Sequence, residues 1–244
     1  FVTSRGKTSI EQHFDIDEQL TSYLRETGRE EQLLDLEFER HEMEYFYTRQ
    51  RRQLGLGHAV LCARSLVGNQ PFVVALGDSI IGLHAQSDIV ARMIERFDAT
   101  NADVVVAFER VPRAEVVHYG IAKPRRGGAA VFELEDVIEK PAVDEAPSDL
   151  AVAARYVFSP AIFDALEKTP PGKGGEIQLT DAIRLLLKQG HKGLGVTLTG
   201  EERRFDIGNF DSYFRTFAEF ALSDVQYGPA LRQFVRELLE REER

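Results

Sequence analysis

An α/β fold, with a mixed but mostly parallel sheet flanked by helices, is what these residues predict, on three observations. F-V-V-A-L (72–76) and V-V-V-A-F (104–108) are short unbroken apolar runs, the pattern of parallel strands buried on both faces. Between them Ile89, Met93, Ile94 and Phe97 fall at helical spacing. Strand, helix and strand in that order predict a Rossmann-like sheet with helices on its faces.

The other elements follow along the chain. Phe1–Ser4 reads as the tail of a strand, and Ser9 as the cap of a short helix. Residues 17–40 are rich in Glu, Arg and Leu, with Leu20, Leu24, Leu33, Leu34 and Leu36, and predict a mostly solvated helical segment. M-E-Y-F-Y-T (43–48) is aromatic and reads as a strand, and His58–Leu66 reads as a helix. From 119 to 160 the texture changes. Gly127-Gly128 marks a turn, and A-V-F-E-L-E-D-V-I-E-K-P and V-A-A-R-Y-V-F read as strands of an antiparallel or mixed part of the sheet. Ser159-Pro160 opens a helix, since proline is tolerated in a first turn. Residues 177–187 form another helix, which Gly190 ends. V-T-L-T (196–199) is a strand. Phe210, Tyr213, Phe214, Phe217 and Phe220 mark one amphipathic helix, and Leu231, Phe234, Val235, Leu238 and Leu239 mark the last. Residues 1–222 are expected to form one α/β domain, and 223–244 a C-terminal helix in oligomer contact.

Composition bounds the function. The 244 residues are 43% hydrophobic, enough to bury a sizeable core. A formal charge of -10 argues against nucleic acid, whose binding rests on basic surface, but leaves room for a small phosphate ligand held by local donors. Cys62 is the only cysteine, which excludes an intrachain disulfide and makes a cytoplasmic location the expectation. No apolar run approaches the ~20 residues of a membrane helix.

Five stretches hold candidate chemistry, each with a plain structural reading beside it. In Q-R-R-Q-L-G-L-G-H, Gly55 and Gly57 precede a helix. Glycines there either let backbone approach a flat or charged ligand or only make a tight turn. Asp78 in A-L-G-D-S follows a buried strand, where ligands of open α/β sheets bind. It either holds Mg²⁺ on a phosphate or caps the next turn. Asp206 in R-R-F-D-I-G-N is a second acid that would complete such a site, or else a helix cap. Glu139 and Lys140, just before Pro141, either serve sugar hydroxyls and a phosphate or stand solvated at a strand end. Glu176, Gln178 and Asp181 open a helix, where acids suit the helix dipole without any function.

Taken in order, Q-R-R-Q-L-G-L-G-H-A-V, L-G-D, H-Y-G, V-I-E-K-P, R-Y-V-F-S, T-P-P-G-K-G-G-E-I-Q-L-T-D-A-I and F-D-I-G-N resemble the bacterial UTP–glucose-1-phosphate uridylyltransferases, over nearly the whole chain. The resemblance implies a nucleotide-diphospho-sugar transferase fold and transfer of a uridylyl group from UTP to glucose 1-phosphate with Mg²⁺ as cofactor. It implies that Gln50 reads the uracil edge, that base and ribose lie against Gly55 and Gly57, and that Asp78 and Asp206 bind Mg²⁺ with Asp78 also at the nucleotide. It places Gly120 and Glu139 at the sugar and Lys140 at the sugar phosphate, and a dimer or tetramer is the expected assembly. Three features depart from the family pattern. The opening strand and G-x-G-T-R loop are not among these residues, so the domain is expected to be truncated at its N-terminus. Ser79 stands where many members carry an acid, and Ala154 where a glycine is common. Two other readings are a thymidylyltransferase acting on a hexose 1-phosphate, and a non-catalytic relative or inactive fragment that retains the binding residues.

Overall fold

The computed structural model describes residues 1–15, 17–29, 31–32, 44–126, 129–200 and 202–242. The predicted features at Leu33, Leu34, Leu36, Met43, Gly127 and Gly128 lie outside them. The chain divides into two compact units, Phe1–Gly68 with Leu166–Leu179, and Asn69–Ala165 with Thr180–Arg244.

In the first unit, β1 (Val2–Thr3) pairs in parallel with β2 (Thr48–Arg49), and Gln50 N–H continues the ladder to Thr3 C=O at 2.9 Å. The strand predicted over 43–48 is therefore only its last residue and the next one. Phe1 stacks on Phe14, Tyr45 and Tyr47 instead, so the aromatic run makes a ring cluster rather than a ladder. Helix α1 (Thr8–Phe14) starts one residue before Ser9, which is inside it and caps nothing. Helix α2 (Glu18–Glu26) is capped by Asp17, whose carboxylate accepts from Leu20 N–H at 2.9 Å, and it buries Leu24. Helices α3 (Leu56–Cys62) and α4 (Arg64–Val67) take the place of the single helix predicted over 58–66.

The second unit corrects the predicted sheet. Its strands are β3 (Phe72–Ala75), β4 (Ser79–Ile81), β5 (Val104–Arg110), β6 (Gly120–Pro124), β7 (Val131–Glu139), β8 (Leu150–Phe158), β9 (Gly193–Thr197) and β10 (Arg204–Asp206). The main sheet runs β3-β8-β5-β9-β7-β6, and β6 returns to β8 through Ile121 opposite Ala151, so the sheet closes into a barrel. Only β5 and β9 are parallel in it; every other pairing is antiparallel. The mostly parallel Rossmann-like sheet is thus overturned. The apolar runs misled for a physical reason: an unbroken apolar strand reports burial on both faces, not strand direction. Strand β5 is fully buried from Val104 to Phe108 because β8 and β9 flank it and α5 (Ile89–Thr100) covers it. Its neighbour β8 is an antiparallel strand inserted between β3 and β5.

Ile89, Met93 and Phe97 of α5 pack with Val105, Ala107, Ala153, Val157, Leu194 and Val196 in one core cluster. Ile94, predicted to share that face, is exposed. Helices α6 (Ala161–Lys168) and α7 (Leu179–Lys188) follow as the sequence predicts, and Gly190 ends the second at φ +91°. Strand β4 pairs antiparallel with β10, setting Ser79 opposite Asp206. Asn209 caps α8 (Phe210–Ser223) by accepting from Ser212 N–H at 3.1 Å. The last helix is α9 (Gly228–Glu242).

Candidate functional site

In the first unit the segment from Gln50 to Gly57 is held on residues 176–177. Ile177 N–H donates to Leu54 C=O at 2.7 Å, and Gly57 N–H donates to Ile177 C=O at 2.9 Å. Both glycines are required by this closeness. A Cβ on Gly55, which sits at φ +93°, would stand 2.7 Å from Glu176 Cβ, and one on Gly57 would stand 2.7 Å from Ile177 O. The space above each glycine is therefore filled by the chain's own backbone. Gln50 Nε2 donates to Gly55 C=O at 2.9 Å and lies 3.0 Å from His58 Nδ1. That arrangement fixes the side chain beside the glycine turn.

In the second unit the two acids come together. The pairing of β4 with β10 brings the turn after β3 against Ile207, whose N–H donates to Asp78 C=O at 2.8 Å. Gly208 N–H donates to Asp206 Oδ1 at 2.8 Å. A Cβ built on Gly208 would stand 3.1 Å from Asp206 Oδ1 and 3.4 Å from Asp78 Oδ2. Both carboxylates thus converge on one residue that has no side chain. Asn209 does the helix capping that was the plainer reading of Asp206. Among the described residues no group of three or more His, Cys, Asp or Glu side chains forms a complete metal cage. A pair of hard oxygen donors fits Mg²⁺, which commonly takes one or two carboxylates and fills its octahedron with phosphate oxygens and water.

The same unit joins Gly120, Glu139 and Lys140. Gly120 faces Glu139 across the β6–β7 ladder, and a Cβ there would crowd Glu139 Oε2 at 3.3 Å and Thr180 Oγ1 at 3.2 Å. Lys140 N–H donates to Tyr119 C=O at 2.9 Å, which ends the strand and holds Lys140 at φ +45°. A non-glycine residue in that region costs energy unless its surroundings enforce it, and such residues cluster at functional sites. Lys140 Nζ lies 3.8 Å from Glu139 Oε1, with the lysine half exposed.

Three residues here escaped the sequence reading of the site. The buried Tyr156 hydroxyl is pushed up in pKa, first by burial and then by Glu139 and Asp78, against the pull of Arg204. One neutral hydroxyl therefore senses both Asp78 and Glu139. Arg155 donates to Ser79 C=O at 2.8 Å, Ala154 C=O at 2.9 Å and Leu76 C=O at 3.3 Å, so it frames the turn that carries Asp78. Burial lowers its pKa, although Asp78 opposes the shift. Arg204 donates to Glu109 at 2.6 Å and lies 4.9 Å from the Tyr119 ring centroid. Burial alone would lower its pKa, but Glu109 and Tyr119 outweigh that and raise it. Only R-Y in R-Y-V-F-S carried a signal for any of these, since an Arg in an otherwise apolar strand needs buried partners.

The sequence model of the nucleotidyl transferase family matches residues 9–222. UTP–glucose-1-phosphate uridylyltransferase of Pseudomonas aeruginosa is 39% identical over 87% of this chain and 75% of its own length. UTP–glucose-1-phosphate uridylyltransferase 1 of Staphylococcus saprophyticus is 35% identical over 97% of this chain and 80% of its own. Among solved structures, UTP-bound UGPase from Acinetobacter baumannii superposes with a TM-score of 0.83 at 32% identity, over 97% of this chain and 82% of that one. A UDP-glucose pyrophosphorylase complexed with UDP-glucose gives 0.78 at 33% identity, over 90% and 78%. The chain belongs to the nucleotidyl transferase family, among the UTP–glucose-1-phosphate uridylyltransferases.

Proposed function

We propose that this chain transfers the uridylyl group of UTP to glucose 1-phosphate, releasing pyrophosphate and forming UDP-glucose. The observation that carries the reading at residue level is the convergence of Asp78 and Asp206 on Gly208, in the same unit as Glu139 and Lys140. An oxygen of the sugar phosphate forms a bond to the α-phosphorus of UTP, and the bond from that phosphorus to the bridging oxygen of pyrophosphate breaks. The sugar phosphate is already ionised at neutral pH, so no general base is required. The work left to the protein is positioning and charge neutralisation. Asp78 and Asp206 would hold Mg²⁺, which when bound neutralises charge on the phosphates and orients them. Lys140 is assigned to the sugar phosphate, and Glu139 with the Gly120 backbone to the sugar hydroxyls. In the first unit, Gln50 is assigned to the pyrimidine edge, with Gly55 and Gly57 shaping the turn beside it.

The test is pyrophosphate release from UTP and glucose 1-phosphate with Mg²⁺, comparing the unaltered chain with Asp78→Asn and Lys140→Ala. Each substitution is expected to lower kcat by about 10²-fold or more, the scale of losing one charge-stabilising group. Turnover that survives Asp78→Asn undiminished would exclude the acid pair from the reaction.

A further inference from the structure

We infer that His58 is a positioning residue that turns Gln50 into a pure hydrogen-bond acceptor and thereby selects pyrimidines whose ring N3 carries a hydrogen. The inference rests on the reading of Gln50 as the pyrimidine contact.

The Gly55 carbonyl oxygen can only accept, so the Gln50 atom 2.9 Å away is the amide nitrogen and not the oxygen. That nitrogen lies 3.0 Å from His58 Nδ1 and has one hydrogen left to donate. His58 Nδ1 must therefore be the bare nitrogen of the ring, with the ring hydrogen on Nε2. Cys62 Sγ, one helical turn on from His58, lies 3.8 Å from the same Nδ1 and adds a weak donor toward it. Both Gln50 amide hydrogens are then consumed inside the unit. No donor among the described residues reaches Gln50 Oε1, so the carbonyl oxygen is what the side chain has left to offer a ligand.

A free glutamine presents a donor and an acceptor and, by flipping, suits opposite base edges. With its nitrogen tied at two points, Gln50 cannot flip without setting its oxygen against the Gly55 carbonyl. A lone acceptor is satisfied by the N3–H of uracil or thymine. It is opposed by cytosine, whose N3 carries a lone pair. Discrimination against a base that leaves a polar group unpaired is the strong kind. The selectivity thus resides in Gly55 and His58 as much as in Gln50.

The experiment measures KM and kcat for UTP and CTP with the unaltered chain, His58→Ala, His58→Gln and Gln50→Ala, and the histidine tautomer by ¹⁵N NMR. His58→Ala is expected to raise KM for UTP by about 10-fold and lower the UTP-over-CTP preference by a similar factor, with kcat nearly unchanged, the scale of one hydrogen bond. His58→Gln, which returns an acceptor to Gln50, is expected to restore much of the preference. The NMR spectrum is expected to show His58 with its hydrogen on Nε2. A hydrogen on Nδ1 overturns the inference even if the variants fail to fold. A preference unchanged in His58→Ala but lost in Gln50→Ala also overturns it, while leaving Gln50 as the base contact. A preference unchanged in Gln50→Ala removes the reading on which both rest.

Discussion

Ala154 sits in the left-handed region at φ +57° in the middle of β8, where the register against β5 slips between Val106 and Phe108. The slip is a bulge, and bulges re-aim side chains. Here it turns Arg155 onto the carbonyls of Leu76 and Ser79, on either side of Asp78. An alanine crowds its own backbone in that region, and a glycine does not. Ala154→Gly is therefore expected to stabilise the chain by about 0.5–1 kcal/mol, read as a higher midpoint of urea unfolding; a lower midpoint would show that the buried methyl matters more than the strain. At this scale much of the candidate site was readable. Asp78, Glu139, Lys140 and Asp206 stand in recognisable motifs, each at a strand end or next to one. Tyr156, Arg155, Arg204 and His58 were not readable, because their roles come from what lies opposite them across a ladder or a helical turn. For Gly55 and Gly57 the sequence raised a choice between ligand approach and tight turn, and the contact with Glu176 and Ile177 adds a packing reason that no local pattern contains.

Elements acquire their positions through side chains as well as ladders. Strand β9 keeps Gly195 opposite Phe132 of β7, whose ring fills the place of a side chain: a Cβ on Gly195 would stand 2.2 Å from the ring. The start of α5 is fastened to the segment before β10 by Arg92, which bonds Asp88 at 2.7 Å and also Glu202 and Thr197 C=O. Glu202 accepts from Ser87 and from Thr199 N–H and Oγ1 at 2.8 and 2.9 Å. Burial raises the pKa of its carboxyl, yet these bonds outweigh burial and bring it down to about 2. A folded-state pKa below the unfolded one stabilises at neutral pH, fully so above the unfolded value, and the effect fades as pH falls toward the folded value. Glu202→Gln is therefore expected to cost about 2–3 kcal/mol at pH 7 and less than half of that at pH 3, by denaturant titration at each pH. A cost that does not change with pH would mean that the carboxylate charge contributes nothing.

On the scale of the whole molecule, the C-terminal helices leave much apolar surface uncovered. Phe210, Phe214 and Phe217 of α8 and Phe234 and Leu239 of α9 are all more than half exposed, Phe214 by 62% and Phe217 by 61%. Large apolar side chains exposed in such number are a mark of interaction sites. We propose that it joins copies of this chain, in line with the oligomer implied by the family resemblance. Sedimentation velocity is expected to show a dimer or larger species, shifted toward monomer by the double change Phe214→Asp and Phe217→Asp. A monomer across the accessible concentration range would remove the proposal. Among the described residues no helix is long and apolar enough to cross a membrane.

The sequence by itself determined which segments are helices and strands in most of the second unit, and which acids and lysine stand at strand ends. Local periodicity and motif order carry that information, because burial and turn chemistry act over a few residues. Tertiary structure alone decided that β3 and β5 lie antiparallel to β8, the closing of the sheet through Ile121 and Ala151, and the meeting of Asp78 with Asp206 at Gly208. An apolar strand looks the same beside a parallel or an antiparallel neighbour. Its direction is set by the path of the chain between strands, and so is the company its polar residues keep.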